Sequence, residues 1–329
     1  MCALFGFLDC GKKIPFKVFQ KLVQALANAS EVRGEHASGI SYMKGGNLTI
    51  YKRPKPAHKM KFKLPNHTKA VMGHVRYTTQ GSQEFNQNNH PFKGHADVDF
   101  AFAHNGVLHN DRELRKNKQL PTTNIETDSY VAVQLIEAQK ALNFDTLKSM
   151  AEDVRGSFTF TILDETNSLW FVKGSSPLYL IYFPELKLYV YSSTGSIMKT
   201  ALKHSLLRLM HYEVIETDEG DILRISPDGK ITRDKFNVAS FFSPRFNSSP
   251  LRWSTYGYGH DYDYFDEEDE AYENLVDMCS YFGVTEEEVI YLRNMGYSYD
   301  EIEEYVLDFR TVDGDDDDDD AFYDFYGEI

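Results

Sequence analysis

The sequence predicts an α+β fold in which two stacked antiparallel sheets are sandwiched by helices, followed by a small acidic helical and partly disordered C-terminal extension. Two observations predict the sandwich: strand patterns fall into two blocks, and helical patterns group between and around them. A third marks its end, because the composition changes near Asn237. With 329 residues, 42% of them hydrophobic and 14% aromatic, the chain has enough for one domain of about 200 to 250 residues plus something smaller.

Residues 2–8 read as a strand. Residues 15–29 carry Phe19, Leu22, Val23 and Leu26 at the i, i+3, i+4, i+7 spacing of an amphipathic helix. A loop with Gly34 and Gly39 leads into a strand over 40–43, and the Gly45-Gly46 turn joins it to 48–51 as a hairpin. The basic, proline-containing stretch 52–69 reads as a surface connection. Residues 70–77 form a buried strand and 78–82 a polar loop. Val98, Phe100 and Phe102 alternate along 97–103, a strand expected to stop at His104-Asn105-Gly106.

Helices follow over 127–142 and 144–153, then strands over 157–163, 169–172, 178–182 and 188–193. Asp164-Glu165-Thr166-Asn167 and Pro184-Glu185 supply turns between them. A helix over 197–207 and strands over 213–215, 221–225 and 230–232 complete the domain, residues 2–240. Residues 241–270 form a Ser/Tyr/Gly-rich acidic linker. Residues 271–310 predict a helical pair around Gly296, with capping boxes at Thr285-Glu286-Glu287-Glu288 and Ser298-Tyr299-Asp300-Glu301. Leu292, Met295, Ile302, Tyr305 and Val306 are available for burial there. Residues 311–329 hold six consecutive aspartates, Asp315 to Asp320, and are expected to be disordered.

The net charge of −15 conceals an asymmetry: residues 251–329 hold 26 acidic and 3 basic side chains, against 24 and 32 before them. The extension is a solubilising tail or a docking segment for the basic body or a partner. Three widely spaced cysteines, Cys2, Cys10 and Cys279, argue against a disulfide framework and for a reducing, cytosolic compartment. No apolar run approaches the roughly 18 residues needed to cross a membrane, and no signal peptide is recognisable.

Cys2 becomes an N-terminal residue once Met1 is removed, and then carries a thiol and an α-amine of pKa about 8 on one residue, a nucleophile with its own base. By itself such a cysteine is more often simply a small hydrophobe at the start of a strand. An attack on an amide needs an oxyanion hole, a grip on the substrate and a closed site. Asn105 and Gly106 offer two neutral donors, although Asn-Gly alone is more often a turn. Arg76, at the end of an apolar strand, has the fork geometry for a carboxylate. Asp128, at a helix start, is a cap or the counter-charge for an ammonium.

These pieces stand in order with others: Cys2 and Gly6, Arg33-Gly34-x-x-x-Ser38-Gly39, Gly73-His74-Val75-Arg76-Tyr77-x-Thr79-x-Gly81, His104-Asn105-Gly106-x-x-x-Asn110, and Glu126-Thr127-Asp128-Ser129. Together they resemble the class II glutamine amidotransferase domain, an N-terminal-nucleophile (Ntn) hydrolase type found in amidophosphoribosyltransferase, glucosamine-6-phosphate synthase and asparagine synthetase. Gly174-Ser175-Ser176-Pro177-Leu178 is similar to that family's Gly-Ser-Pro-Leu hairpin, and the arginine block looks most like the amidophosphoribosyltransferase branch. The resemblance covers about residues 2–235.

It implies a four-layer αββα sandwich, with Cys2 as nucleophile, its amine as base, and Asn105 and Gly106 as the oxyanion hole. Arg76 and Thr79 would hold the α-carboxylate of glutamine and Asp128 its ammonium, with Gly106 assisting; Arg33 would support the site. The reaction would be amide hydrolysis through a γ-glutamyl thioester, releasing ammonia, with no cofactor or metal. Ala3, His36 and Tyr77 depart from the common Gly, Asp and Trp of the family without removing a catalytic group. Residues 240–329 are too few and too acidic for a synthase domain, so the resemblance leaves a separate ammonia-acceptor subunit or a stand-alone hydrolase of glutamine or γ-glutamyl compounds.

Three rival readings remain. The histidines between His58 and His109 lack metal-binding helical spacing. The basic stretch 52–69 has no aromatic interleaving for nucleic acid. An interaction protein on an inactive Ntn fold would need a lost nucleophile or grip, and none is lost.

Overall fold

The computed structural model describes residues 2–203 and 205–238, and beyond them residues 272, 275, 276, 279, 284–294, 299, 302 and 303. The chain divides into two compact units, Met1–Arg245 and Phe246–Ile329.

In the first unit, one sheet runs in the order β11 (Glu213–Val214), β9 (Tyr179–Phe183), β10 (Leu188–Ser192), β1 (Ala3–Asp9), β4 (Ala70–Arg76), β2 (Ala37–Lys44), β3 (Asn47–Arg53). The other runs β13 (Ile231–Lys235), β12 (Asp221–Ile225), β8 (Leu169–Lys173), β7 (Gly156–Asp164), β6 (Asp99–Leu108), β5 (Phe92–His95). Neighbouring strands pair antiparallel throughout.

Successive strand side chains point to opposite faces, and β1 shows what that does here. Ala3, Phe5 and Phe7 pack with Phe19, Leu22, Val23 and Leu26 of α1 (Phe16–Ala29) and with Ile197, Met198 and Ala201 of α5 (Gly195–Leu202). Leu4 and Leu8 point the other way, into a central layer with Ala101 and Ala103 of β6, Leu163 of β7 and Phe171 of β8. The far faces of β6 and β7, through Phe100, Phe102, Phe158 and Phe160, meet α3 (Tyr130–Gln139) and α4 (Phe144–Asp153). Three apolar layers thus separate four structural ones, the αββα order. Strands buried on both faces read as continuous hydrophobic runs, which is why β1 is ALFGFLD. Each fully buried Phe contributes about 1.5–3 kcal/mol.

Gly6 of β1 is crowded by the two strands that flank it in its own sheet, β4 and β10. A Cβ there would lie 2.1 Å from the Val71 carbonyl oxygen and 2.7 Å from the Tyr191 ring, which lies across it. Backbone at that distance cannot step aside cheaply, so Gly6→Ala is expected to destabilise by about 2–3 kcal/mol, read as a lowered denaturant midpoint.

The structure corrects the sequence reading in several places. β6 does not stop at His104-Asn105-Gly106; it continues to Leu108 because β7 runs beside it, Asn105 opposite Thr159 and Gly106 opposite Phe158. The stretch 52–69 is not merely a surface connection. Met60, Phe62 and Leu64 are buried against α1, and two glutamines of that helix hold the segment's backbone. Gln20 accepts from Leu64 N at 2.9 Å; Gln24 accepts from Phe62 N at 3.2 Å and donates to Ala57 O at 3.2 Å. β5 and α2 (Asp111–Asn117) were not anticipated. The helix expected over 127–142 begins at Tyr130, and the one expected over 197–207 ends at Leu202.

In the second unit, α6 (Glu286–Asn294) opens with the expected capping box. Glu288 Oε2 accepts from Thr285 N at 2.6 Å, and Thr285 Oγ1 accepts from Glu288 N at 3.4 Å. Leu275, Cys279, Val289 and Ile302 form a small buried cluster. The linker, the capping box at Ser298, the burial expected of Leu292, Met295, Tyr305 and Val306, and the aspartate run lie outside the described residues. Among the described residues no helix is long and apolar enough to cross a membrane, and no group of three or more His, Cys, Asp or Glu residues is arranged to hold a metal.

Candidate active site

Strand alternation brings the chemistry together. Cys2 continues the Leu4, Leu8 series of β1, Arg76 the Ala70, Met72 series of β4, and Asn105 the Ala101, Ala103 series of β6; all three series face the layer between the sheets. Ala3 pairs with Val75, which sets Cys2 alongside Arg76. Across the layer, His74 Nε2 donates to the His104 carbonyl at 2.9 Å and ties β4 to β6 immediately beside Asn105.

Cys2 is buried, and its Sγ donates to the Tyr77 carbonyl at 3.4 Å. Arg33 Nε donates to the Cys2 carbonyl at 3.1 Å. Burial pushes the thiol pKa up, the Arg76 guanidinium pulls it part of the way back, and the Asp128 carboxylate pushes it further up. The thiol therefore needs a base before it can attack, and Arg76 and Asp128 both lie within electrostatic reach of it.

The Arg76 side chain is 2% exposed, and its two Nη atoms make three hydrogen bonds. Nη1 donates to Asn89 Oδ1 at 2.6 Å, and Nη2 donates to the carbonyls of Gln80 at 2.6 Å and Gly81 at 2.8 Å. These bonds fix the fork at the root of the loop that follows β4. Thr79, on that same loop, is exposed, and among the described residues no hydrogen bond joins it to Cys2.

Asn105 carries an unmade hydrogen bond. It is 1% exposed, yet its Nδ2 donor has no partner. A buried amide N–H left unmade costs about 1–3 kcal/mol. Gly106 has φ +134°, and a Cβ there would lie 2.0 Å from the Ser157 carbonyl oxygen, so the position takes glycine. The turn at 174–176 backs this pair from β7: Thr159 Oγ1 donates to Ser176 O at 2.5 Å and Ser176 N to Phe158 O at 3.3 Å.

Asp128 is buried just ahead of α3 but does not cap it. Its Oδ2 accepts from Leu108 N of β6 at 2.6 Å and its Oδ1 from Ser129 Oγ at 3.2 Å. His104 completes the group. Its Nδ1 lies 2.7 Å from Ser129 Oγ and its Nε2 3.3 Å from Ser157 O. Burial depresses its pKa, and its Nε2 donates to the Ser157 carbonyl, which can only accept. At the edge of the site, the His36 and Tyr77 rings stack at 5.0 Å, and His36 Nδ1 accepts from Thr78 N at 2.9 Å.

Of the residues expected from sequence, Cys2, Arg33, Arg76, Asn105, Gly106 and Asp128 are gathered at this end of the sandwich, while Thr79 lies outside the contacts that define it. Sequence reasoning missed Asn89, His104 and Ser129. The signal was present for Asn89: the run Asn86-Gln87-Asn88-Asn89-His90 is too polar for a core, yet three of its members are buried, a combination that requires specific partners.

Residues 74–199 match the model of a family described as glutamine amidotransferase domain. Among curated proteins, the chain is 25% identical over 232 residues to 7-cyano-7-deazaguanine synthase 2 of Sulfurisphaera tokodaii, covering 67% of this chain and 49% of that protein. It is 27% identical over 240 residues to glutamine–fructose-6-phosphate aminotransferase [isomerizing] of Aquifex aeolicus, covering 69% of this chain and 37% of the other. Among solved structures, glutamine phosphoribosylpyrophosphate amidotransferase from B. subtilis superposes with a TM-score of 0.55 at 22% identity, over 72% of this chain and 50% of that one. The structure titled as the allosteric regulatory enzyme of purine biosynthesis gives 0.58 at 22%, over 72% and 49%. The chain spans half or less of the length of each.

Proposed function

Since this chain carries a glutamine amidotransferase domain of the Ntn type, we propose that it hydrolyses the side-chain amide of glutamine through Cys2 and passes the ammonia to a separate acceptor. The observation that carries the reading is the unpartnered Nδ2 of Asn105, a buried donor held in the same inter-sheet layer as the Cys2 thiol.

Removal of Met1 converts the Cys2 nitrogen from a peptide N–H into an amine. Its neutral form takes the thiol proton, directly or through a water, and the thiolate attacks the amide carbon. Negative charge then develops on the carbonyl oxygen, where Asn105 Nδ2 and the Gly106 N–H stabilise it. Collapse expels ammonia, protonated by the same amine, and leaves a γ-glutamyl thioester on Sγ. Water hydrolyses the thioester to glutamate and regenerates the thiol. Arg76, assisted by Thr79, takes the α-carboxylate, and Asp128 the α-ammonium. Arg33 holds the Cys2 carbonyl, which orients the residue carrying both nucleophile and base.

Because the base is an amine of pKa about 8, activity should rise with pH through that region as the amine loses its proton. The direct test is a mass spectrum of the purified protein after exposure to a glutamine-analogue electrophile. We expect a chain lacking Met1, labelled once on Cys2, and no label in Cys2→Ala. A chain that keeps Met1 and takes no label would overturn the proposal.

A further inference from the structure

Two residues that touch neither Cys2 nor the oxyanion donors join the two halves of the substrate grip. We propose that Asn88 and Glu126 form a clasp that sets the spacing between Arg76 and Asp128, and so act as positioning residues for free glutamine; this rests on the function proposed above.

Arg76 and Asp128 come from different parts of the chain, the end of β4 and the segment ahead of α3. Between them lies the loop from Tyr77 to Pro91, and Glu126 is seated against it. Asn88 is fully buried; its Oδ1 accepts from Glu126 N at 2.9 Å, and its Nδ2 donates to Glu126 Oε2 at 2.9 Å and to Ser82 O at 3.0 Å. Its carbonyl accepts from Thr127 Oγ1 at 2.8 Å. The loop adds two further bonds to the same residue, Gln80 Nε2 to Glu126 O at 2.9 Å and Ser82 N to Glu126 Oε2 at 3.4 Å. Glu126 is thus held by its amide, its carbonyl and its carboxylate at once.

The arginine holds that loop from the inside, through the carbonyls of Gln80 and Gly81. Gly81, at φ +75°, sits so close that a Cβ would lie 3.0 Å from Glu126 Cβ and 3.2 Å from Asn88 Nδ2. A continuous path therefore runs from Arg76 through the loop carbonyls to Ser82 and Asn88, on to Glu126, and two residues later to Asp128. A ligand with a carboxylate and an ammonium on one carbon needs both partners at fixed separation, and small misplacements are costly. A small electrophile that uses neither group is indifferent to that separation.

This difference supplies the test. Asn88→Ala, Glu126→Ala and Glu126→Gln, each in the full chain, would be reacted with a glutamine-analogue electrophile bearing the α-amino and α-carboxyl groups, and separately with iodoacetamide. The clasp predicts that the two alanine variants react about tenfold more slowly with the analogue and within about twofold of wild type with iodoacetamide. In glutamine hydrolysis they show KM raised about tenfold and kcat within about threefold, the mark of lost ground-state positioning. Glu126→Gln keeps one acceptor oxygen and falls between, and it serves as the test if Asn88→Ala does not fold. Analogue rates equal to wild type would overturn the clasp while leaving the proposed function standing. Equal slowing with both reagents would reduce the pair to ordinary structural residues. Wild type unlabelled by the analogue would remove the clasp and the proposed function together.

Discussion

Asn105→Ala is expected to lower kcat for glutamine hydrolysis by about 10²–10³-fold while leaving KM within about threefold, the range found when one oxyanion donor is removed. The reason lies in what Nδ2 does before the reaction: it is buried and bonded to nothing. The substrate's carbonyl oxygen, still uncharged, gains little from it; the tetrahedral oxyanion gains most, so the loss falls on the transition state. Stability should move little, because deleting a donor that carries an unmade bond recovers about 1–3 kcal/mol of desolvation cost, which offsets the small cavity left behind. Asn105→Asp should be worse for catalysis than Asn105→Ala, since it aims a carboxylate at a developing negative charge. Steady-state ammonia release and a thermal melt on the same preparations check both halves. A fall in kcat that merely tracks a fall in melting temperature would show that Asn105 serves the fold.

The fold was legible in the sequence wherever one physical rule dominated. The i, i+3, i+4, i+7 apolar spacing gave α1, the Gly45-Gly46 pair gave the β2–β3 hairpin with both glycines at positive φ, and the Thr285 box gave the start of α6. It failed where tertiary partners overrode local chemistry. Asn105-Gly106 reads as a turn, yet it lies inside β6 because β7 supplies a ladder alongside it. Lysines alternating with Met60, Phe62 and Leu64 read as a solvated connection, yet the apolar half of that alternation is core. The site was legible as a set of residue types with complementary chemistry. Its scaffolding was not, because Asn88, Asn89, His104 and Ser129 act through bonds to residues 13 to 53 positions away, such as Arg76 to Asn89 and His104 to Ser157, and no local pattern announces such partners.

The largest stability effect should come from acid. His74 is completely buried between the sheets, and burial, helped by the nearby Arg76, His104 and Lys52, holds its pKa down to about 3. His90, tilted against it with ring centroids 4.2 Å apart and neither ring nitrogen partnered, is also pushed well below the ordinary value by burial. In the unfolded chain each titrates near 6.5. Between pH 6.5 and 3 the unfolded state therefore binds protons that the folded state refuses, and stability falls as pH falls through that window. For His74 alone, the loss between pH 7 and pH 4 is about 3 kcal/mol, with His90 acting in the same direction. Lys52 is silent there, since its pKa of about 8 keeps it charged in both states below pH 7; its own effect is a gain in stability as pH rises from about 8 toward 10.5. Carboxylates also respond near pH 4, so the wild-type curve alone would not isolate the histidine. His74→Gln provides the comparison, because a glutamine amide can still donate to the His104 carbonyl but cannot take a proton. Urea unfolding of both proteins from pH 7 to 4 should show the wild type losing about 3 kcal/mol more than the variant, and parallel curves would mean that His74 accepts its proton without opening the sandwich. The bond at stake connects the strand carrying Arg76 to the strand carrying Asn105, so the group that makes the protein acid-labile is also the one that holds the proposed grip and oxyanion donor in register.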